Sequence, residues 1–196
     1  MSKVAIVGAH EATRENAPFG DKEFEIWGLS NWSKAPWMLR CDKVIEVHGS
    51  VLYTQHPADH DYWSWLQETD AQVYIFGYNE QIKNTNCYPL QDIKNDLLGN
   101  IALFGEEIEN FASSVDYALA LAILQGYEQI DLYGLEMEQE YRAQQESFAF
   151  WVGLAAGKGI KINLNCTKAM FNKPLYGRHM VGKDKHIAFI NIRSNE

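Results

Sequence analysis

Four short polar segments of this sequence carry side chains suited to an anionic or sugar-like ligand. The first is Gly8-Ala9-His10-Glu11-Ala12-Thr13-Arg14. Gly8 would let a ligand approach the backbone, and Thr13 and Arg14 offer a hydroxyl and a guanidinium to phosphate. The second, Ser30-Asn31-Trp32, sets an amide that both donates and accepts beside an aromatic stacking surface. The third, Ser113-Ser114, opens a strongly apolar helical stretch. Its amides and the positive end of the dipole make a phosphate seat as readily as a simple N-cap, although Asp116 in the same turn would repel a phosphate. The fourth is Tyr133-Gly134-Leu135-Glu136, with Tyr141, Arg142 and Gln144 just beyond it, a polar cluster leaving a strand. Turns, caps and a surface Glu136–Arg142 pair account for each segment alone. Together they form the expected nucleotide-binding set.

Proton transfer would fall to a histidine. His48 ends a strand and His179 lies in the C-terminal tail, and these are the two candidate general bases. His48, His56 and His60 look like a metal-ligand set, but Pro57 breaks the helical spacing of the last two and no cysteine joins them, so no metal site is assigned. The chain has no GxGxxG, no Walker lysine loop and no arguable Ser-His-Asp order.

These segments need a scaffold, and the apolar patterning supplies one. Strands are expected at Lys3 to Val7, Phe24 to Leu29, Lys43 to Val47, Ala71 to Ile75, Gln129 to Tyr133 and Gly159 to Leu164. Helices are expected from about Asp59 to Thr69, from Ser114 to Gln125 and from Glu140 to Ala156, with Gly126 and Gly157-Lys158-Gly159 at the ends of the last two. Alternation of this kind predicts an α/β fold, a Rossmann-like three-layer sandwich with a mostly parallel sheet. In such a sheet ligands lie beyond the carboxyl ends of the strands, where the four segments are. Residues 1–196 read as a single domain in which 78–105 is a long loop with one helical turn at most. Residues 168–196 read as a C-terminal extension, with an added edge strand at His186 to Ile192.

Bulk properties narrow the partners. A net charge of -9 and no basic cluster beyond the tail from Lys168 to Lys185 exclude general nucleic-acid binding. The absence of a long apolar run or secretory pattern predicts a cytoplasmic protein with no membrane partner. Cys41, Cys87 and Cys166 are odd in number and far apart, as expected of free thiols in a reducing compartment. A homo-oligomer is left open.

Val4-Ala5-Ile6-Val7-Gly8 and its polar turn resemble the N-terminus of single-domain bacterial sialyltransferases, a pattern shared with archaeal-type 6-hydroxymethylpterin diphosphokinases. Only the leading Gly of that family's turn is kept. A longer block is similar to the same family: Phe111-Ala112-Ser113-Ser114-Val115, then Ala118-Leu119-Ala120-Leu121-Ala122, Gly126-Tyr127-Glu128-Gln129-Ile130 and Tyr133-Gly134-Leu135-Glu136. The resemblance covers residues 3 to 165. Glu140-Tyr141 and Leu175-Tyr176-Gly177 also resemble short phage-encoded reading frames of this type. The resemblance to the sialyltransferases implies that Gly8, Asn31, Ser113 and Ser114 contact a nucleotide and its phosphate, and that Tyr133 and Tyr141 correspond loosely to that family's paired tyrosines. The family's catalytic histidine has no aligned counterpart here.

Three functions follow as expectations: a glycosyltransferase-like transferase using a nucleotide or nucleotide-sugar donor, a protein that sequesters a nucleotide-derived signal without turnover, or a pterin-type diphosphokinase. No cofactor is firmly implied. Only the last would need magnesium, held by Asp131 and Glu136.

Overall fold

Val4, Ala5, Ile6 and Val7 are all fully buried, so the first strand has apolar neighbours on both faces, as a central strand of a parallel sheet must. The computed structural model describes residues 1–49, 60–101, 105–136 and 142–166, the side chains of His60, Arg142 and Ala143 apart. In chain order the elements are β1 (Lys3–Val7), α1 (Glu11–Arg14), β2 (Phe24–Leu29), a 3-10 turn (Ser30–Lys34), β3 (Lys43–Ile45), α2 (His60–Glu68), β4 (Gln72–Ile75) and β5 (Thr85–Cys87). There follow α3 (Leu90–Ile93), continued by a π turn (Lys94–Leu98), then α4 (Ser114–Leu124), β6 (Gln129–Leu135), α5 (Arg142–Gly157) and β7 (Lys161–Cys166). The seven strands form one sheet in the order β5-β4-β3-β2-β1-β6-β7, and every pairing is parallel. This is the α/β, Rossmann-like architecture that the alternating pattern predicts.

The core divides by face. Val4, Ile6, Trp27, Ile45, Ile130 and Leu132 meet α4 and α5 on one side, where Leu119, Leu121, Phe148 and Trp151 are buried. Ala5, Val7 and Ile26 pack on the other side with Met38, and Val44 and Val73 pack there against Tyr62 and Leu66 of α2. Period-two alternation along the strands produces this division. No helix among the described residues is long and apolar enough to cross a membrane.

Two expectations are corrected. Residues 78–105 do not read as loop throughout, because they contain β5, α3 and the π turn. β5 is the three-residue edge strand Thr-Asn-Cys, paired to β4 through Val73↔Thr85 and Ile75↔Cys87. It has no apolar alternation, since its place is fixed by backbone pairing. The third strand ends at Ile45 rather than Val47. The edge strand expected at His186 to Ile192, and the 168–196 extension, lie outside the described residues.

β1 and β6 touch through glycines at their carboxyl ends. Gly8 N–H donates to the Tyr133 carbonyl at 2.9 Å and His10 N–H to the Gly134 carbonyl at 2.8 Å. A Cβ on Gly134 would sit 2.3 Å from the Gly8 carbonyl oxygen, and Gly134 has φ +61. A Cβ on Gly8 would meet the Gly134 oxygen at 2.5 Å. Gly8 is therefore glycine because another strand approaches it.

α4 is anchored by a fully buried acid. Asp116 Oδ2 accepts from the amides of Ala112 (2.8 Å) and Ser113 (2.9 Å). The Ser147 hydroxyl lies 2.8 Å from the same oxygen and 2.9 Å from the Asn110 carbonyl, and it donates to one of them. Asp116 Oδ1 has no partner among the described residues. Burial holds this carboxyl above the ordinary carboxylate range although the bonds to Oδ2 favour its charged form.

Two outcomes are expected in urea unfolding. Gly134→Ala should lose about 2 kcal/mol or more, whereas Gly153→Ala, in α5 with nothing within 4 Å of its added carbon, should gain roughly 0.5 kcal/mol. For Asp116 the raised folded pKa means stabilisation that is full below the unfolded value, about 3.9, and is lost as pH rises through the folded value. The margin of the wild type over Asp116→Asn should therefore shrink as pH rises above the unfolded value, about 3.9. A margin that grows with pH would contradict the buried-acid assignment.

Candidate active site

From β1 to β5 the chain builds outward on one side of β1, and β6 then starts on the other side. The loops leaving β1 and β6 diverge at this switch in strand order, which opens a crevice at the carboxyl edge. A cleft of about 770 Å³ lies there, within the usual range for small-ligand pockets. All four polar segments reach it. Gly8, Ala9, His10 and Arg14 line it from the first, Trp32 from the second, Ser113 and Ser114 from the third, and Gly134, Glu136 and Gln144 from the fourth. His48 lines it as well.

Other predicted residues stand elsewhere. Thr13 Oγ1 donates to the Asn165 carbonyl at 2.7 Å and accepts from Gly134 N–H at 2.8 Å, so it ties α1 to β6 and β7. Tyr133 packs on the face of the sheet that carries Ala5 and Val7. Asn31 is exposed beside the cleft, and Ser30 stands behind His48. Asp131 does not join Glu136 in a metal site: its Oδ1 accepts from Gln129 (2.8 Å) and Asn163 (2.7 Å) within the sheet. His179, Tyr141 and His56 lie outside the described residues, as does the side chain of His60.

Arg14 is less available than its position suggests. Its guanidinium donates to the Ala9 carbonyl at 2.7 Å, lies 3.4 Å from Glu11 and sits 4.8 Å over the Trp37 ring. It braces the loop after β1. The start of α4 is a second place in the cleft where negative charge could be met. Asp116 takes the amides of Ala112 and Ser113, while those of Ser114 and Val115, in the first helical turn, have no intrahelical carbonyl to reach. Both residues line the cleft, and the helix dipole adds positive potential there.

Two imidazole–carboxylate pairs flank the cleft, and they differ. His10 Nδ1 accepts from Ala12 N–H at 3.3 Å, while Nε2 faces the Glu136 carboxylate. The acceptor role of Nδ1 puts the proton on Nε2, so both ring nitrogens are engaged and the loops after β1 and β6 are latched together. His48 is oriented the other way. Its Nδ1 and its backbone N–H both lie 2.8 Å from Glu46 Oε1. Glu46 is 1% exposed, and its Oε2 accepts from the Tyr62 hydroxyl at 2.7 Å. β3 ends at Ile45, and the Glu46 N–H still donates to the Tyr74 carbonyl of β4 at 2.9 Å.

Glu46 is the residue that the polar segments did not reveal. Its only trace in the sequence is a charged residue inside the apolar run Lys43-Val44-Ile45-Glu46-Val47-His48, two positions before the histidine and so on the same side of an extended chain.

No protein-family model matches the chain, and no curated protein sequence matches it. Solved structures do. The sialyltransferase CstII from Campylobacter jejuni in complex with a substrate analogue, cytidine-5'-monophosphate, superposes with a TM-score of 0.50 at 16% identity, covering 86% of this chain and 81% of that one. An alpha-2,3-sialyltransferase from Campylobacter jejuni in apo form gives a TM-score of 0.52 at 15% identity over 86% of this chain and 76% of its own. At these identities the likeness is one of fold, and the chain has a sialyltransferase-like α/β fold.

Proposed function

We propose that this protein binds a nucleotide-linked donor in the switch-point cleft and transfers the donor's group as a glycosyltransferase does. The observation that carries this reading is the convergence of four strand-end and helix-start segments on one cleft, which is lined by the first turn of α4 and by an exposed tryptophan. Trp32 is 46% exposed and offers a stacking face to a base or a sugar. The amides of Ser114 and Val115 suit the phosphate. The likeness in fold to a protein solved with cytidine-5'-monophosphate makes that nucleotide the first ligand to try.

The chemistry follows from these positions. As the bond between the donor's sugar carbon and its phosphate oxygen breaks, the electron pair stays with the phosphate. The added negative charge is met by the α4 amides and dipole, which need no reorganisation. The acceptor's hydroxyl oxygen bonds to the same carbon, and its proton passes to His48.

Backbone donation can be tested by removing one amide without breaking the helix. Ser114 is the first helical residue after the Ser113 N-cap, where proline is well tolerated. Ser113, at φ -157 and ψ 161, is already extended as a residue before proline prefers. In calorimetric titrations Ser114→Pro should weaken cytidine-5'-monophosphate binding about tenfold or more and leave cytidine binding unchanged. Equal loss for both ligands, or loss for neither, would remove the phosphate from this helix. His48→Gln should lower turnover of a cytidine monophosphate sugar on the order of a hundredfold while nucleotide affinity holds. Tight binding with the sugar nucleotide recovered intact would favour sequestration over transfer.

A further inference from the structure

Lys43 opens β3 at the amino edge of the sheet, the edge away from the cleft, and its side chain is 9% exposed. All three ammonium hydrogens have acceptors there: Glu25 Oε2 at 3.0 Å, the Gln125 side-chain oxygen at 2.9 Å and the Tyr127 hydroxyl at 3.2 Å. The cation also lies 4.7 Å from the centre of the Trp27 ring and 5.5 Å from that of Tyr127. Each partner is held in turn. Glu25 Oε2 accepts from Trp27 Nε1 at 3.1 Å and from the Tyr127 hydroxyl, and the Gln125 side-chain amide donates to the Tyr74 hydroxyl at 3.0 Å. Gln125 caps the C-terminus of α4, and Tyr127 follows the left-handed Gly126. One lysine thus ties the end of α4 to β2, β3 and β4.

The body of α4 offers no such direction. Val115 and Ala118 through Ile123 are buried, so the helix is apolar on nearly every side. Apolar burial is non-directional, whereas hydrogen bonds weaken steeply when their geometry shifts. The polar contacts at its two ends therefore set its position most sharply: Asp116 with Ala112, Ser113 and Ser147 at the start, and Lys43 at the finish. A buried ion pair is weak evidence for stability, since apolar replacements are often neutral, and its best-attested use is to specify one arrangement among several. We infer that Lys43 is a positioning residue: from the far edge of the sheet it fixes α4 along its axis and so sets where Ser113, Ser114 and Val115 stand in the cleft. A helix of 11 residues is about 16 Å long and moves as a rod, so a displacement at Gln125 reaches its first turn. The inference rests on the nucleotide-binding reading for its purpose but not for its geometry. Lys43 touches no ligand in this scheme and acts through α4.

The experiment uses the full chain and three variants. Lys43→Met keeps most of the side chain's length and removes the charge. Gln125→Met breaks the link to α4 at an exposed residue, so it carries the test if Lys43→Met does not fold. Ile82→Ala, in the core on the other face of the sheet from α4, is the control for lost stability alone. Calorimetric titration gives the ratio by which cytidine-5'-monophosphate outbinds cytidine, and amide 1H–15N resonances report the setting of Ser114 and Val115. In the Lys43 and Gln125 variants the ratio is expected to fall about fivefold or more and both resonances to move. Ile82→Ala is expected to lower the melting temperature and change neither. A ratio that holds in the Lys43 and Gln125 variants, or that falls equally in Ile82→Ala, would overturn the inference. The failure of the nucleotide-binding reading is seen separately: if the wild type binds no nucleotide, that reading falls, and unmoved Ser114 and Val115 resonances in the same two variants would still overturn the positioning.

Discussion

Everything at the carboxyl edge depends on two peptide backbones meeting without side chains between them. Gly8 and Gly134 close β1 onto β6 beyond the last regular ladder pair, with the His10 amide on the Gly134 carbonyl and the Thr13 hydroxyl bridging Gly134 to Asn165. The join falls where the strand order reverses, which is also where the loops must part. A rigid floor therefore lies directly beneath the cleft. A side chain on either glycine would push the strands apart and tilt α1, Arg14 and Glu136 with them.

On that floor the cleft is organised by what its charged groups are already doing. Arg14 braces its own loop, His10 latches to Glu136, and Asp116 consumes two of the amides that precede α4. Ser114, Val115, Trp32 and His48 line the cleft beside them. Among the described residues, these three charged groups hold walls in place. Asp116 illustrates the division, because burial disfavours the charge that would repel a phosphate and its Oδ2 is occupied by the Ala112 and Ser113 amides.

The sequence made the scaffold legible because burial imposes a pattern. β1 and β2 were readable to the residue, since apolar runs flanked by charged or turn residues leave little choice of register. β5 was not, because an edge strand of three polar residues is defined by its neighbour's backbone and leaves no periodicity. Of the candidate site residues, those at strand ends and at the start of α4 could be found from position alone. Thr13 and Tyr133 had the right chemistry in the right segment yet face the protein, a distinction that depends on side-chain direction. Glu46 was missed for the opposite reason: it sits inside a strand-like run, where a polar residue looks like noise until Tyr62, sixteen positions later, is seen to hold it.

The engagement of Arg14 has a consequence for how an anion would arrive. Among the described residues the cleft offers dipoles in place of a free guanidinium, and dipole fields fade within a turn of the helix. The field farther out belongs to the whole chain, whose net charge is -9. An anionic guest is therefore repelled at a distance and held only on contact, the reverse of electrostatic steering. Added salt would screen the repulsion while leaving the short contacts nearly intact. Association with such a guest should quicken as ionic strength rises.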